Sequence, residues 1–302
     1  MKVKLSPCRY PGGKSNALKT LDPYFPENFD FYREPFFGGG SVGLYLMQKN
    51  KNAEYWINDL FYPVYCFWKT IYNHPSEMVS AIWNEKQKYV VSNEIITKGT
   101  PSKSALKGAA LHAACRKKIE ESIQIKNEFA TACLWYILNK TSFSGMAMIG
   151  SYAPLAFDQN FTNKCILNLP KTHELMHSVK NVQITNLDYL ELLKNDDTNT
   201  FIFLDPPYKI PHSLYGKDGD MNERFDHLRF STDVKDSKHK WMITYNEDEH
   251  IKSWFREFNP ISWDLQYTMQ AAKRKGQEGS ATTGKSGKKG KELLILNYEQ
   301  RT

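Results

Sequence analysis

No stretch of the 302 residues approaches the roughly 18 consecutive apolar residues of a membrane-spanning helix. Met1 to Tyr10 lack the apolar centre of a secretory signal. Cysteine is scarce: Cys8, Cys66, Cys115, Cys133 and Cys165 are scattered, odd in number and never paired as Cys-x-x-Cys. That excludes a disulfide framework and offers no zinc spacing, so no metal and no membrane partner are expected. A reducing cytoplasm is the compartment that fits this usage. There is also no internal repeat. Against these absences stand 41% apolar residues, ample for a large buried core in one or two domains.

The net charge of +7 is unevenly spread. Residues 273–291 hold seven Lys/Arg against one Glu, a net of +6, which leaves the rest of the chain at +1. This Gly/Ser/Thr-rich run includes Lys273, Arg274, Lys275, Lys285, Lys288 and Lys289. It reads as a flexible loop suited to nucleic acid phosphates, or as a solvated loop without a partner.

Seven apolar runs bounded by turn residues predict strands: Phe29–Phe37, Ala53–Ile57, Val182–Asn186, Thr200–Leu204, Lys240–Tyr245, Ile261–Gln270 and Lys291–Tyr298. Helical patterns such as Gly40–Lys49 and Asp188–Lys194 separate several of them. Alternation of this kind predicts an α/β fold with a mainly parallel sheet, and the basic run makes the last two strands a hairpin. The middle is different. Pro75–Val91, Ser104–Ser122 and Lys126–Leu138 are helix-compatible, and a Gly/Pro/Asn-rich stretch, Ser142 to Asn163, follows. The expected division is a catalytic domain of residues 1–63 and 166–302 with a mostly helical insertion at 64–165.

Three motifs carry chemistry. Asp205-Pro206-Pro207-Tyr208 ends a strand, where open α/β sheets place their ligands. It offers a carboxylate, proline carbonyls without N–H groups and a flat ring. That set suits a flipped base with an exocyclic amine, although Asp and Pro also form plain turns. Phe36-Phe-Gly38-Gly-Gly40 follows the first long strand and opens a helix. Asp59, 21 residues after Gly38, stands where nucleoside-binding folds hold ribose hydroxyls. Tyr10-Pro-Gly-Gly-Lys-Ser15 fails as a phosphate-binding loop because Cys8 occupies the place of the first glycine. Gly279–Ser286 matches formally, but neither a strand precedes it nor a helix follows.

Together these motifs resemble the Dam-like (class alpha) DNA adenine-N6 methyltransferases. The resemblance rests on Tyr10-Pro-Gly-Gly-Lys14, Glu34-Pro-Phe-Phe-Gly-Gly-Gly40, Ile57-Asn-Asp59, Asp205-Pro-Pro-Tyr208 and the run from Lys291 to Tyr298, in that order. It implies a Rossmann-like methyltransferase sheet, S-adenosyl-L-methionine as cofactor, double-stranded DNA as partner and a place at the nucleoid. Tyr10, Gly12, Gly13, Lys14, Glu34, Pro35, Phe36, Gly38, Gly40 and Ser41 would then surround the cofactor. Asp59 would hold its ribose and Asp188 would lie near its adenine, a position that also suits a helix cap. Asn139-Lys-Thr-Ser-Phe-Ser-Gly145 is similar to the family's DNA-recognition hairpin, which implies DNA contacts at Lys140, Phe143, Ser144 and Met148. Members that read GATC carry arginine where Met148 stands, and methionine cannot make arginine's bidentate pair with guanine. A cognate restriction endonuclease is left open.

The implied reaction is methyl transfer to the N6 amine of adenine, with Asp205, Pro206, Pro207 and Tyr208 catalytic. Three rivals remain: an RNA or protein amino-group methyltransferase, a non-catalytic DNA-binding module, and a nucleotide triphosphatase built on Gly279–Ser286.

Overall fold

A computed structural model describes residues 6–94, 97–194, 197–209, 221–266 and 289–299. Among them, seven strands form one sheet: β1 Phe31–Glu34, β2 Glu54–Asn58, β3 Asn181–Thr185, β4 Thr200–Leu204, β5 Lys240–Asn246, β6 Ile261–Gln266 and β7 Lys289–Leu296. Their order is β3-β2-β1-β4-β5-β7-β6. β3, β2, β1, β4 and β5 are parallel, and β7 runs antiparallel to both β5 and β6. All seven expected strands are present, in the expected mostly parallel, Rossmann-like sheet. β1 is shorter than its apolar run because Pro35 has no N–H to continue the ladder. Lys289, assigned from sequence to the basic loop, begins β7 instead.

Helices along the chain are α1 Leu18–Leu21, α2 Ser41–Lys49, α3 Tyr62–Asn73, α4 Pro75–Gln87, α5 Lys103–Gln124, α6 Glu128–Thr141, α7 Pro154–Asn160, α8 Asn163–Leu167, α9 Leu169–His177, α10 Tyr189–Lys194, α11 Met221–Arg224, α12 His227–Lys235 and α13 Glu249–Trp254. Side-chain caps start the two longest: Ser102 accepts from Ala105 N and Asn127 from Ala130 N. α3 escaped the sequence reading because its aromatic and β-branched residues favour strands. Packing against α6 overrides that preference. The Phe67 ring lies 5.7 Å from Tyr136 at 7° and 5.0 Å from Trp135. α6 is buried along nearly its whole length, as a helix apolar on all sides must be. No helix among the described residues is long and apolar enough to cross a membrane.

β4 shows how the two faces are filled. Phe201 and Phe203 enter one apolar cluster, and Ile202 and Leu204 enter the other. This is the two-residue period of a strand buried on both faces. The first cluster runs without a break from the sheet through α3, α5 and α6. The second lies under α12 and α13, with Phe230, Val234 and Ile251. Phe201 is wholly buried, its ring within 6.1 Å of Phe25, Phe29, Tyr32 and Tyr298. Phe201→Ala is expected to cost about 3–5 kcal/mol in urea denaturation, and a loss below about 1 kcal/mol would show that this cluster is not the centre of the core.

Candidate active site

The strand order reverses between β1 and β4, which lie side by side and parallel. Loops leaving their carboxyl ends must diverge, which opens a crevice. Glu34 to Gly40 lead from β1 into α2, and Asp205 to Tyr208 leave β4. Between them lies a cavity of about 370 Å³, a volume suited to a small-molecule cofactor.

The turn after β1 needs its glycines for two reasons. Gly38 and Gly40 have φ of 45° and 66°, and a Cβ at either would lie 2.8 Å from a ring carbon. Those rings are Tyr10 at Gly38, and Phe37 and Trp68 at Gly40. The glycines therefore admit the protein's own aromatic side chains, where the sequence reading expected close approach of a ligand. Trp68 Nε1 donates to Gly38 O at 2.9 Å and locks the turn from behind.

Two residues at the end of β2 clasp the strand-end loops. Asn58, 1% exposed, donates to Pro35 O at 3.0 Å and Leu187 O at 2.9 Å. Its Oδ1 accepts from Leu187 N at 2.8 Å and Thr185 Oγ1 at 2.7 Å. Asp59 accepts from Gly38 N at 2.7 Å and Phe61 N at 2.9 Å. Burial pushes the Asp59 carboxyl up to about 6, against the opposing pull of those two N–H groups. Asp59 lines the cavity, yet part of its acceptor capacity holds the glycine turn. Asp188 also lines the cavity and accepts from Leu190 N at 3.0 Å, so it caps α10.

The Asp205 carboxylate is held from two sides. Lys14 Nζ donates to Oδ1 at 2.7 Å and to Oδ2 at 2.8 Å, and Thr244 Oγ1 donates to Oδ1 at 2.8 Å. Lys14 is 2% exposed. Burial works against its ammonium, but Asp205, Glu292 and Glu34 outweigh that effect and raise its pKa above the usual lysine value. Burial also pushes Glu34 well above the usual carboxylate range, opposed by the 2.6 Å hydrogen bond from Tyr32 OH. Asn246 fixes the chain beyond the motif: its Oδ1 accepts from Lys209 N at 3.0 Å and its Nδ2 donates to Lys209 O at 3.1 Å.

Of the expected cofactor residues, Tyr10, Gly13, Lys14, Glu34, Pro35, Phe36, Gly38, Gly40, Ser41, Asp59 and Asp188 line the cavity. Gly12 does not, and its carbonyl accepts from Lys14 Nζ at 2.8 Å instead. Asp205, Pro206 and Pro207 face the cavity from the other side. Tyr208 is buried, outside the lining, its ring stacked on Tyr245 at 6.0 Å and 4.9 Å from Lys14 Nζ.

The family of D12 class N6 adenine-specific DNA methyltransferases matches residues 10–269, which contain this whole cavity. The chain belongs to that family. It is an adenine-specific DNA methyltransferase that uses a methyl-donor cofactor. Curated relatives are distant. The Type II methyltransferase M.CviBI of Paramecium bursaria Chlorella virus NC1A is 24% identical over 96% of this chain and 98% of its own. M.MjaIII of Methanocaldococcus jannaschii is 22% identical over 67% and 68%, and M1.LlaDCHI of Lactococcus lactis subsp. cremoris is 20% identical over 98% and 97%.

In this methyltransferase the turn after α6 folds back as a short hairpin. Ser142 bridges Tyr152 in antiparallel fashion, and Phe143 N donates to Ser151 O at 2.9 Å. Phe143 and Ser144 are half-buried at its bend, and Ser144 has a left-handed φ of 52°. Two of the expected DNA contacts lie elsewhere. Lys140 is 3% exposed, its Nζ 5.2 Å from the Tyr136 ring, and Met148 belongs to the core. Both side chains are buried, so neither is presented to an open surface. Lys273, Arg274, Lys275, Lys285, Lys288 and the Gly279–Ser286 match lie outside the described residues, as does the side chain of Lys289.

The sequence reading placed Asn139 at the head of the hairpin motif but gave it no role. This fully buried side chain accepts from Arg9 N at 2.9 Å and donates to Arg9 O at 2.5 Å and Gly145 O at 2.9 Å. It ties the hairpin to the segment that carries Tyr10 and Lys14. Thr244 and Asn246 were missed. Their one signal was a polar residue ending an apolar strand.

Asp59 generates a pH prediction. Its folded-state pKa of about 6 lies above the unfolded value of 3.8, so its protonated form favours the fold. That contribution is full below about pH 4 and is lost as pH rises through about 6. The stability of the wild type relative to Asp59→Asn should therefore fall by about 2–3 kcal/mol between pH 4 and 7 in denaturant titrations. A pH-independent difference would mean that burial does not perturb this carboxyl.

Proposed function

We propose that the cavity binds S-adenosyl-L-methionine and that Asp205 and the Pro206 carbonyl receive the N6 amine of an adenine flipped from duplex DNA. The observation that supports this most is the carboxylate of Asp205, fixed at the carboxyl end of β4 on the wall of the same cavity as the glycine turn. S-adenosyl-L-methionine, when bound, supplies an electrophilic methyl group on a sulfonium. Tyr10 and Phe36 would bound its methionine part, and Asp59 its ribose. Leu60 and Leu187, both exposed at the cavity wall, would cover its adenine, with Asp188 alongside.

The adenine amine is a weak nucleophile because its lone pair is conjugated with the ring. A carboxylate has about four lone-pair sites, and Lys14 and Thr244 engage three on Asp205. The site left on Oδ2 is available for one N6 hydrogen and the Pro206 carbonyl for the other. Accepting both pulls the nitrogen toward tetrahedral geometry and turns its lone pair out of the ring plane. The carboxylate then stabilises the positive charge developing on N6, and positioning and electrostatics supply most of the rate. Tyr208 would hold the base by stacking, which requires its buried ring to turn toward the cavity. Pro207 would stiffen the loop.

Residues 64–165 are proposed as the inserted DNA target-recognition domain, with Phe143 and Ser144 meeting the space left by the flipped base. A target other than GATC is proposed because Met148 stands in the arginine position. The Type II names of the relatives support a restriction-modification setting with a cognate endonuclease.

Asp205→Asn, which keeps a polar partner for Lys14, is expected to lower methyl incorporation into duplex DNA by about 10²–10³-fold or more, with folding and cofactor affinity kept. Near-normal turnover would remove the mechanism. Tyr208→Ala should weaken base capture by about 1–3 kcal/mol and Tyr208→Phe by much less; equal losses would transfer the role to the hydroxyl. Incubating the enzyme with duplex DNA, RNA and protein separates the substrate readings. Mapping modified adenines on a methylated plasmid gives the target site.

A further inference from the structure

Lys14 was expected among the cofactor contacts, but its geometry directs it elsewhere. An ammonium has three protons to donate. Here each meets an acceptor of the protein: Gly12 O at 2.8 Å, Asp205 Oδ1 at 2.7 Å and Asp205 Oδ2 at 2.8 Å. None is left for the cofactor. Among the described residues, Lys14 and Thr244 are the side chains that donate to Asp205. Thr244 alone would leave the carboxylate free to rotate about its bond to the chain. The paired contact from Lys14 sets its plane and leaves the remaining lone pair of Oδ2 for the substrate amine.

We propose that Lys14 is a positioning residue for methyl transfer, acting through Asp205 to hold the carboxylate in the orientation that accepts the N6 hydrogen. The inference rests on the function proposed above and adds the source of its geometry. A buried lysine bound to one carboxylate by both oxygens is a rigid strut. The same ammonium also donates to Gly12 O, in the segment that Asn139 ties to the recognition hairpin. Paired with the Asp205 carboxylate, the ammonium leaves no net positive charge, so the strut does not oppose the cation developing on N6.

The test compares the full-length wild type with Lys14→Gln and Lys14→Arg. Methyl transfer to duplex DNA is measured at saturating S-adenosyl-L-methionine, and cofactor affinity by calorimetry. Lys14→Gln should lower kcat about 100-fold while changing the cofactor Kd less than about threefold. Lys14→Arg keeps a charged donor and should recover about a tenth of wild-type kcat. A cofactor Kd raised tenfold or more, with kcat at saturation unchanged, would overturn the proposal and return Lys14 to the cofactor site. If Lys14→Gln does not fold, the same split between kcat and Kd is read from Lys14→Arg, with the same outcomes deciding. An active wild type with the wrong split sinks this inference alone, whereas a wild type inactive on DNA sinks the functional reading beneath it.

Discussion

The parallel pairing of β1 with β4 is the constraint on which the rest of the structure depends. β2 and β3 add outward on one side of this pair and β5 on the other. Their connecting loops cannot pack over one another, and a crevice stays open at the carboxyl ends of the two central strands. The crevice is useful because of what each strand delivers to it. β1 ends in a proline and a glycine turn, and β4 ends in a carboxylate followed by two prolines. Both strands are buried on both faces, so neither end can drift.

Buried and half-buried polar side chains turn that topology into a site. Asn58 joins the loops after β1, β2 and β3, and Asn246 holds the chain after Tyr208. Asn139 joins the amino-terminal segment to the hairpin. Each carboxamide satisfies backbone groups of a distant piece of chain, which loops at a cavity edge cannot supply for themselves. Buried amides of this kind are costly if a partner is lost, so they favour a single arrangement of the loops. The Lys14 and Asp205 pair extends the same logic to charge. Its desolvation cost is offset by two short contacts to the carboxylate, a third to Gly12 O and the neighbouring carboxylates.

Much of this architecture is legible in the chain's local patterns. Apolar runs mark β4 and β5 most clearly because strands buried on both faces are nearly continuous in hydrophobicity. Asp205 and Gly38 are legible because turn chemistry and strand ends are local features. α3 is not, since Phe67 and Trp68 read as strand formers until Tyr136 and Trp135 come to lie against them. Lys140 looks like a surface cation beside a recognition turn, and only the packing of α6 shows it turned inward. Asn139 stands at the head of the hairpin motif, but its role is not legible there, because its other partner, Arg9, lies 130 residues away.

The amino-acid sequence by itself determined the strands, their order and the groups available for chemistry, because hydrophobic period and turn composition act over a few residues. Only the tertiary structure decided what those groups are bonded to. It set the three protons of Lys14 on Gly12 and Asp205, put the ring of Tyr208 against Tyr245 and filled the glycine turn with Tyr10, Phe37 and Trp68. These outcomes depend on which distant segments share a buried space, where an unpaired polar group or an unfilled volume is costly.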